Sequence, residues 1–509
     1  MRHLWSCLAL CGLASSISLP QAAAAQDESL GAALASLDTE LEKIRTDWQV
    51  PGVAIAITKG DKIVYARGFG LRDVAHNLPM TADTLLAIGS TTKAFTTAVM
   101  AVQVEEGKLD WNEPVRRYLP TFKLKDPVAS ERTTALDLIT HRTGLPGHDA
   151  LWYNADFPRA ELVRRMQFLE PSKDFRAELQ YNNIAYAAAG HLLEVVSGKS
   201  WEENVRSKLF QPLGMKRANF SVTQMQSDAN FSQPYRQQDD GKMTQIPFRD
   251  ISIVGPAGSI NASVNEMAAW TILQLNHGQY QGRQILSEKS INFLHTPRMA
   301  AGLSSIPEII PVGYAAGWGV TAYRGHLRLQ HHGAIDGFSS SVTLLPNAGI
   351  GITILTNQEQ HVPELLERTT IDRLLALTPR DWSGERMKKS GHAMMDGMGM
   401  GNASGSPKSD TRPSHPLAAY AGVYGHPAYG ELRVSFQDGK LSYELNRIET
   451  PLAHWHFDTF NSLKAKDSAN ENRKLRFSTD ESGDISSLFI QFEPAVEPIV
   501  FDRKGASTR

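Results

Sequence analysis

Two blocks of strand-forming sequence stand far apart in this chain, and the text between them is not strand. Residues 52–69, GVAIAITKGDKIVYARGF, hold two runs rich in Val, Ile and Ala on either side of Lys59-Gly60-Asp61. Such runs around a turn signal read as a hairpin. The second block begins near Leu327 with LRLQHHG, continues as FSSSVTLLP, turns at Asn347-Ala348-Gly349 and resumes as IGITILTN. Between the blocks lie helical and loop patterns, among them Ile184 to Val196 and Val264 to Leu275, and a last helical pattern covers Val362 to Leu377. A sheet built from both ends of a unit, with helices inserted between, is a mixed antiparallel α/β arrangement and not a parallel β-α-β chain.

The chain has 509 residues and a formal net charge of −2. That length accommodates two to four domains and a large core. A near-neutral balance offers no basic face for nucleic acid and no strong field for a membrane surface. The N-terminus reads separately. Arg2 and His3 precede the apolar run Leu4 to Leu13, and small residues follow as far as Ala22-Ala23-Ala24-Ala25-Gln26. A charged start, a short apolar core and an A-x-A site read as a secretory signal peptide, residues 1–25, cleaved after Ala25. The run is too short to span a bilayer, so the mature chain is expected to be periplasmic or secreted with no membrane span. Both cysteines, Cys7 and Cys11, lie in this segment. The mature chain is then without disulfides, cysteine metal sites or a thiol nucleophile.

A first large unit, residues 26–380, is followed by a change of text. Residues 381–415 are rich in Gly, Ser, Pro and Met with no periodicity, and read as a flexible linker. From residue 416 to 509 alternation returns. Leu432, Val434 and Phe436 precede Asp438-Gly439, and Leu441, Tyr443 and Leu445 follow it. That is a hairpin signature. KLRFSTDESGDISSLFIQF repeats it around Glu481 to Asp484. A small all-β, barrel-like module is expected there.

Three short motifs carry the chemistry. Ser90 and Lys93 lie three residues apart at the start of a helical pattern. One S-x-x-K arises by chance roughly once or twice in a chain of this size, and a serine at a helix start is also a good N-cap. The same geometry suits a nucleophile. The helix N-terminus favours an anion forming on an attacked carbonyl, and Lys93, one turn on, can reach the Ser90 hydroxyl. A lysine base needs burial or a neighbouring cation to lose its proton near neutral pH. The second motif is Tyr181-Asn182-Asn183 before a helical stretch, the only Y-x-N in the chain. A tyrosine beside two cations can be drawn toward phenolate and act as base, then acid. An asparagine amide can hold a substrate carbonyl. The third is His331-His332-Gly333 at the end of a strand. Adjacent histidines on a strand face opposite sides and make poor partners for one metal. An edge strand thinned by glycine lets an extended peptide lie alongside it. Lys389-Ser390-Gly391 also matches K-S-G, but has no strand before it and is set aside.

Ser90-x-x-Lys93, Tyr181-x-Asn183 and His331-x-Gly333, in this order, resemble the serine β-lactamase and penicillin-binding-protein superfamily, in its class C-like, peptidase S12 branch. LDLITHRTGLPGHD and PAGSINASVNEMAAW resemble flanking segments of that family. The C-terminal module, notably HWHFDTF, resembles a small β domain appended to such hydrolases. The resemblance implies a β-lactamase/transpeptidase-like fold and an acyl-enzyme on Ser90. Lys93 and Tyr181 would share the base role, and Asn183 would orient the acyl amide. The backbone amides of Ser90 and Ala334 would form the oxyanion hole, and His331 and Gly333 would line the substrate site. No cofactor or metal is implied. The family's typical lysine is replaced by His331, which suits a substrate carboxylate less well. The expected substrate is thus a small peptide amide or an ester, peptidoglycan-derived and D-residue peptides included, with β-lactamase or D-alanyl carboxypeptidase activity as the alternative. A non-catalytic peptide- or cell-wall-binding protein is the reading from another class. A metal-dependent hydrolase would want an H-E-x-x-H, which is absent. Oligomeric state is left open.

Overall fold

A computed structural model describes residues 19–238, 240–388, 406–464 and 472–505, with side chains from residue 31 onward. The decoy at Lys389 to Gly391 and most of the Gly/Met-rich stretch lie outside the described residues, as does the apolar run before Leu19.

The two strand blocks do meet. In chain order the main sheet uses β1 (Gly52–Lys59), β2 (Lys62–Asp73), β3 (Leu78–Pro79), β4 (Ile309–Tyr314), β5 (Gly319–Tyr323), β6 (His326–Ile335), β7 (Phe338–Leu345) and β8 (Ile350–Thr356). Their spatial order is β4-β5-β6-β7-β8-β1-β2-β3, with every pair antiparallel. The seam between the two ends of the chain is β1 against β8, with Ala54 opposite Leu355 and Ala56 opposite Thr353. β1 is buried on both faces, which fixes register strongly, because a one-residue slip would exchange its Val/Ile face for its Ala face.

Helices cover both faces. Val53, Ile55 and Ile57 pack with Leu37 and Leu41 of α1 (Leu19–Asp47) and with C-terminal residues such as Leu365 and Ile371. Ala54 and Ala56 belong to the opposite core, which includes α2 (Thr92–Glu105), α3 (Asn183–Ser197) and α4 (Val264–Leu275). α2 is buried along most of its length, as befits a central helix with apolar residues all round. Phe95 stacks on Trp270 of α4 with centroids 3.9 Å apart. The final helix, α5 (Val362–Leu374), stops earlier than its apolar pattern suggested. Ala376 takes a left-handed φ of 51°, which a helix cannot continue through. Trp382, read from composition as linker, is buried in the same core as α5, and its indole N–H donates to Asp372 at 2.8 Å.

α5 also pins the sheet through a buried charge. Glu367 accepts from Ser341 at 3.0 Å, Thr343 at 2.7 Å and Arg328 at 3.1 Å. Burial raises its pKa, but the Arg328 guanidinium and the bonds from His332 and Thr343 prevail and hold it well below the carboxylate range.

The C-terminal module is a closed antiparallel barrel of eight strands running from Gly422–His426 to Ile499–Arg503. Asp438 and Gly439, at φ 51° and 76°, form the expected tight turn. Its apolar interior is continuous with the α2 core. Among the described residues no helix is long and apolar enough to cross a membrane.

Replacing Glu367 with alanine strands Arg328 without its counter-charge, and truncating one partner of a buried pair typically costs about 3–5 kcal/mol. Urea denaturation of Glu367→Ala is expected to show a loss of that size.

Candidate active site

Ser90 does not cap α2. It sits in a single 3-10 turn, Gly89–Thr91, that precedes the helix, and Thr91 takes the cap position without capping it, its hydroxyl donating back to the Ile88 carbonyl at 2.9 Å. The serine hydroxyl is therefore not spent on the helix. The turn is pressed against β6. A Cβ on Gly333 would collide with the Ile88 carbonyl and the Ser340 hydroxyl and come within 2.9 Å of the Ser90 nitrogen. A Cβ on Gly89, whose φ is 52°, would come within 2.8 Å of the Ala334 nitrogen. Two glycines thus let the backbone amides of Ser90 and Ala334 flank one crossing point. Ser340 secures the contact by donating to the Ile88 carbonyl at 2.7 Å.

Lys93 is completely buried. Its Nζ lies 3.1 Å from Ser90 Oγ, 2.8 Å from Asn183 Oδ1 and 2.9 Å from the Ala257 carbonyl. The last two neighbours can only accept. A neutral amine has two N–H groups for them and a lone pair left over, and the one remaining neighbour, Ser90 Oγ–H, is a donor. Burial lowers the Lys93 pKa to about 7, with the Asp149 carboxylate opposing. The arrangement fits an amine that receives the serine proton.

Helix α3 begins with a division of labour between two asparagines. Asn182 is the cap, its Oδ1 accepting from Ala185 N–H at 2.7 Å. Asn183 is thereby free, and places Oδ1 on Lys93 and Nδ2 on Asp149 Oδ1 at 3.1 Å. Tyr181 lies with its ring centroid 4.7 Å from Lys93 Nζ and is 40% exposed. Burial around its hydroxyl nevertheless raises the pKa, against a hydrogen bond with Ser90 that lowers it. The expected drift toward phenolate is overturned, because burial of the hydroxyl, with the Asp149 charge adding to it, outweighs the Ser90 bond and keeps Tyr181 a neutral phenol. His331 supplies no cation either: burial, and the Lys93 charge where that amine is protonated, lower its pKa to about 3. Its Nδ1 lies 2.6 Å from the His332 carbonyl and must carry the proton, so Nε2 accepts from the Tyr314 hydroxyl at 3.1 Å. His331 is a neutral, engaged imidazole.

His331 and His332 do face opposite sides. His332 reaches away to Glu367 at 3.3 Å. The edge-strand expectation needs correction. β6 is internal, paired with β5 from His326 to Gln330 and with β7 from Leu329 to Ile335. Its last residues, His331 to Ile335, have no β5 residue opposite them, because β5 begins only at Gly319. The free edge is local and starts where the site does. A cavity of about 1060 Å³ reaches Ser90, Gly333, Ala334 and Ser340.

Three neighbours were given no role from the sequence, although His141 and Asp149 both lie within the LDLITHRTGLPGHD segment that resembles the family. Asp149 lies in a loop before α3 and bonds both Asn183 and, at 2.7 Å, the Trp152 indole. Tyr314 comes from β4 to hold His331. His141 is fully buried with its ring 4.4 Å from Tyr181 and accepts from Asn182 N–H at 3.1 Å. That segment was the available signal for His141 and Asp149, whereas no motif or spacing points to Tyr314. Among the described residues no cluster of three or more His, Cys, Asp or Glu is placed to hold a metal.

A profile of the beta-lactamase family matches residues 37–377. The chain belongs to the beta-lactamase family. A second profile, a domain of unknown function (DUF3471), covers residues 406–503 and hence the barrel. An unguisins hydrolase of Aspergillus violaceofuscus is 28% identical over 88% of this chain and 86% of its own length. Among solved structures, the octameric penicillin-binding protein homologue from Pyrococcus abyssi covers 92% of this chain and 99% of its own at 21% identity, with a TM-score of 0.60. A D-stereospecific amidohydrolase from Streptomyces sp. covers 68% and 99% at 20% identity, with a TM-score of 0.56. These structures share the fold with this beta-lactamase family chain, and the family's fold and hydrolase relatives agree with the motif resemblance.

An alanine at Gly333 must displace the 3-10 turn from β6. Overpacking of this kind costs about 1–3 kcal/mol, and a misplaced reacting group costs on the order of a hundredfold in rate. Gly333→Ala is expected to show both, by denaturation and by the rate of Ser90 modification with a fluorophosphonate.

Proposed function

We propose that this beta-lactamase family chain is an exported serine hydrolase that cleaves an amide, or an ester, through an acyl-enzyme on Ser90. The observation that carries the reading is Lys93, enclosed among neutral acceptors with a pKa of about 7 and 3.1 Å from the Ser90 hydroxyl. Lys93 takes the Ser90 proton as Oγ attacks the substrate carbonyl. The developing oxyanion is received by the amides of Ser90 and Ala334, where each such donor typically contributes about 3–4 kcal/mol. Tyr181, a neutral phenol within reach of Ser90, passes a proton to the departing nitrogen or oxygen and is replenished by Lys93. Water then attacks the acyl-enzyme by the reverse route, and Ser90 regains its proton. Asn183 donates toward the acyl carbonyl side.

The substrate side of the reading rests on His331. An uncharged imidazole, its Nε2 already engaged by Tyr314, gives a substrate carboxylate no ion pair. That favours peptide amides over the carboxylate-bearing substrates of D-alanyl carboxypeptidases and β-lactamases. The relatives point the same way, one named for hydrolysis of unguisins and one for D-stereospecific amide hydrolysis. Export rests on the N-terminal charge, apolar run and A-x-A site.

A fluorophosphonate probe is expected to label the wild-type chain and not Ser90→Ala. Hydrolysis of D- and L-peptide amides should exceed that of nitrocefin. Equal turnover by wild type and Ser90→Ala would sink the mechanism. Because the base is the unprotonated amine, kcat/KM is expected to fall about tenfold per pH unit below pH 7 and to level off above it. An acid limb near pH 4 would instead indicate a carboxylate base.

A further inference from the structure

Among the described residues the barrel reaches the surroundings of the site through one short loop. Residues 147–156 run from β-lactamase family core to the entrance of the cleft and carry Asp149, Tyr153 and Asn154. Each of these makes a contact that shapes the site. Asp149 Oδ1 accepts from Asn183 Nδ2 at 3.1 Å. Tyr153 donates to Asp336, just beyond Ala334, at 2.5 Å. Asn154 Oδ1 accepts from Arg249 at 3.0 Å. The loop therefore ties the start of α3 to the end of β6.

Three strand connections of the barrel hold this loop. Asn446 and Arg447 form the turn between Lys440–Leu445 and Ile448–His456, at φ 50° and 65°. Asn446 Nδ2 donates to the carbonyls of Ala150 at 3.0 Å, Tyr153 at 3.2 Å and Leu151 at 3.3 Å. Its own carbonyl accepts from Asn154 Nδ2 at 2.7 Å, and Arg447 donates to the Asn154 carbonyl at 2.9 Å. On the other side Glu493 accepts from His148 N–H at 2.9 Å, and the Tyr429 hydroxyl meets His148 Nδ1 at 2.8 Å. One amide serving three carbonyls of another segment is more than hairpin closure requires.

We propose that the C-terminal barrel is a positioning element of the active site, in which Asn446 and Glu493 hold residues 147–156 so that Asp149 keeps Asn183 bonded to Lys93. Asn446 and Asp149 are positioning residues, acting through Asn183. Lys93 is faced by Asp149 from this loop, His141 from the loop before it, Tyr181 and Tyr186 at the start of α3, and His331 from β6. Asp149 is the carboxylate among them, and its charge raises the Lys93 pKa. Glu493 and His148 face Asp149 in turn. Loosening the loop withdraws that charge, so the Lys93 pKa drops and the acid limb of the rate moves to lower pH.

The kinetic arm of the test rests on the Ser90–Lys93 reading above, and a second arm does not. Asn446→Gly keeps the left-handed turn, since glycine adopts that φ freely, and removes the side chain whose amide holds the loop, while the backbone carbonyl that accepts from Asn154 remains. In the full-length chain, hydrogen–deuterium exchange of residues 147–156 is expected to speed up in Asn446→Gly while barrel strands exchange as in wild type. Glu493→Ala should act likewise, and serves if Asn446→Gly does not fold. In kinetics, Asn446→Gly and Asp149→Asn should both lower kcat/KM by ~10- to 100-fold at the plateau and shift the acid limb to lower pH. A structural lesion alone would lower activity without moving that limb. Unchanged exchange over 147–156 in both barrel variants overturns the proposal, as does an unmoved acid limb in Asp149→Asn. If the wild-type chain shows neither turnover nor labelling, it is the Ser90 reading that fails, and exchange alone decides the clamp.

Discussion

The burial of one ammonium-bearing side chain organises this protein. Lys93 has lost all contact with water, and an amine so placed is stable only if its neighbours can satisfy it neutral or charged. Two carbonyl-type oxygens and one hydroxyl do so. Desolvation then sets its pKa near neutrality, and the need for acceptors explains why Asn183 cannot be spent on capping its own helix. Asn182 does that instead. The burial of α2, the close approach of the Gly89–Thr91 turn to β6 and the entry of α3 all follow from building a dry socket around this one nitrogen.

The sheet provides the rigidity that the socket needs. β1 and β8 join the ends of the chain, and Glu367 ties α5 to β6 and β7 from behind. His332 faces that buried carboxylate while His331 faces the site, so the strand that carries the site is anchored by the neighbour of its own functional residue. Where β5 stops, the free edge of β6 begins. The open edge beside Ser90 is thus an interruption in a ladder, and not an edge of the whole sheet.

Much of this was readable in advance. Ser90, Lys93, Tyr181, Asn183, His331 and Gly333 are identified by motif order, and the hairpins by alternation and turn residues. What misled was local reasoning about charge and boundaries. Tyr181 was expected to drift toward phenolate beside cations, but burial of its hydroxyl keeps it a neutral phenol. Trp382 reads as linker because its neighbours are Gly, Ser and Pro, although its indole is buried against α5. The apolar pattern of α5 runs on past Leu374, but the backbone turns at Ala376.

The sequence by itself determined the inventory: a two-ended sheet, a β module, and three motifs whose residue types suit acyl transfer, because periodicity and motif spacing are local properties of a chain. Only the tertiary structure decided the protonation states and the company each group keeps. The Lys93 amine is poised by burial that no neighbour in sequence supplies, and His331 is silenced by a tyrosine from another strand. Asp149 is brought to Asn183 by a loop that the distant barrel holds. Desolvation and hydrogen-bond partnership arise from contacts across the fold, so no reading of the motifs alone reaches them.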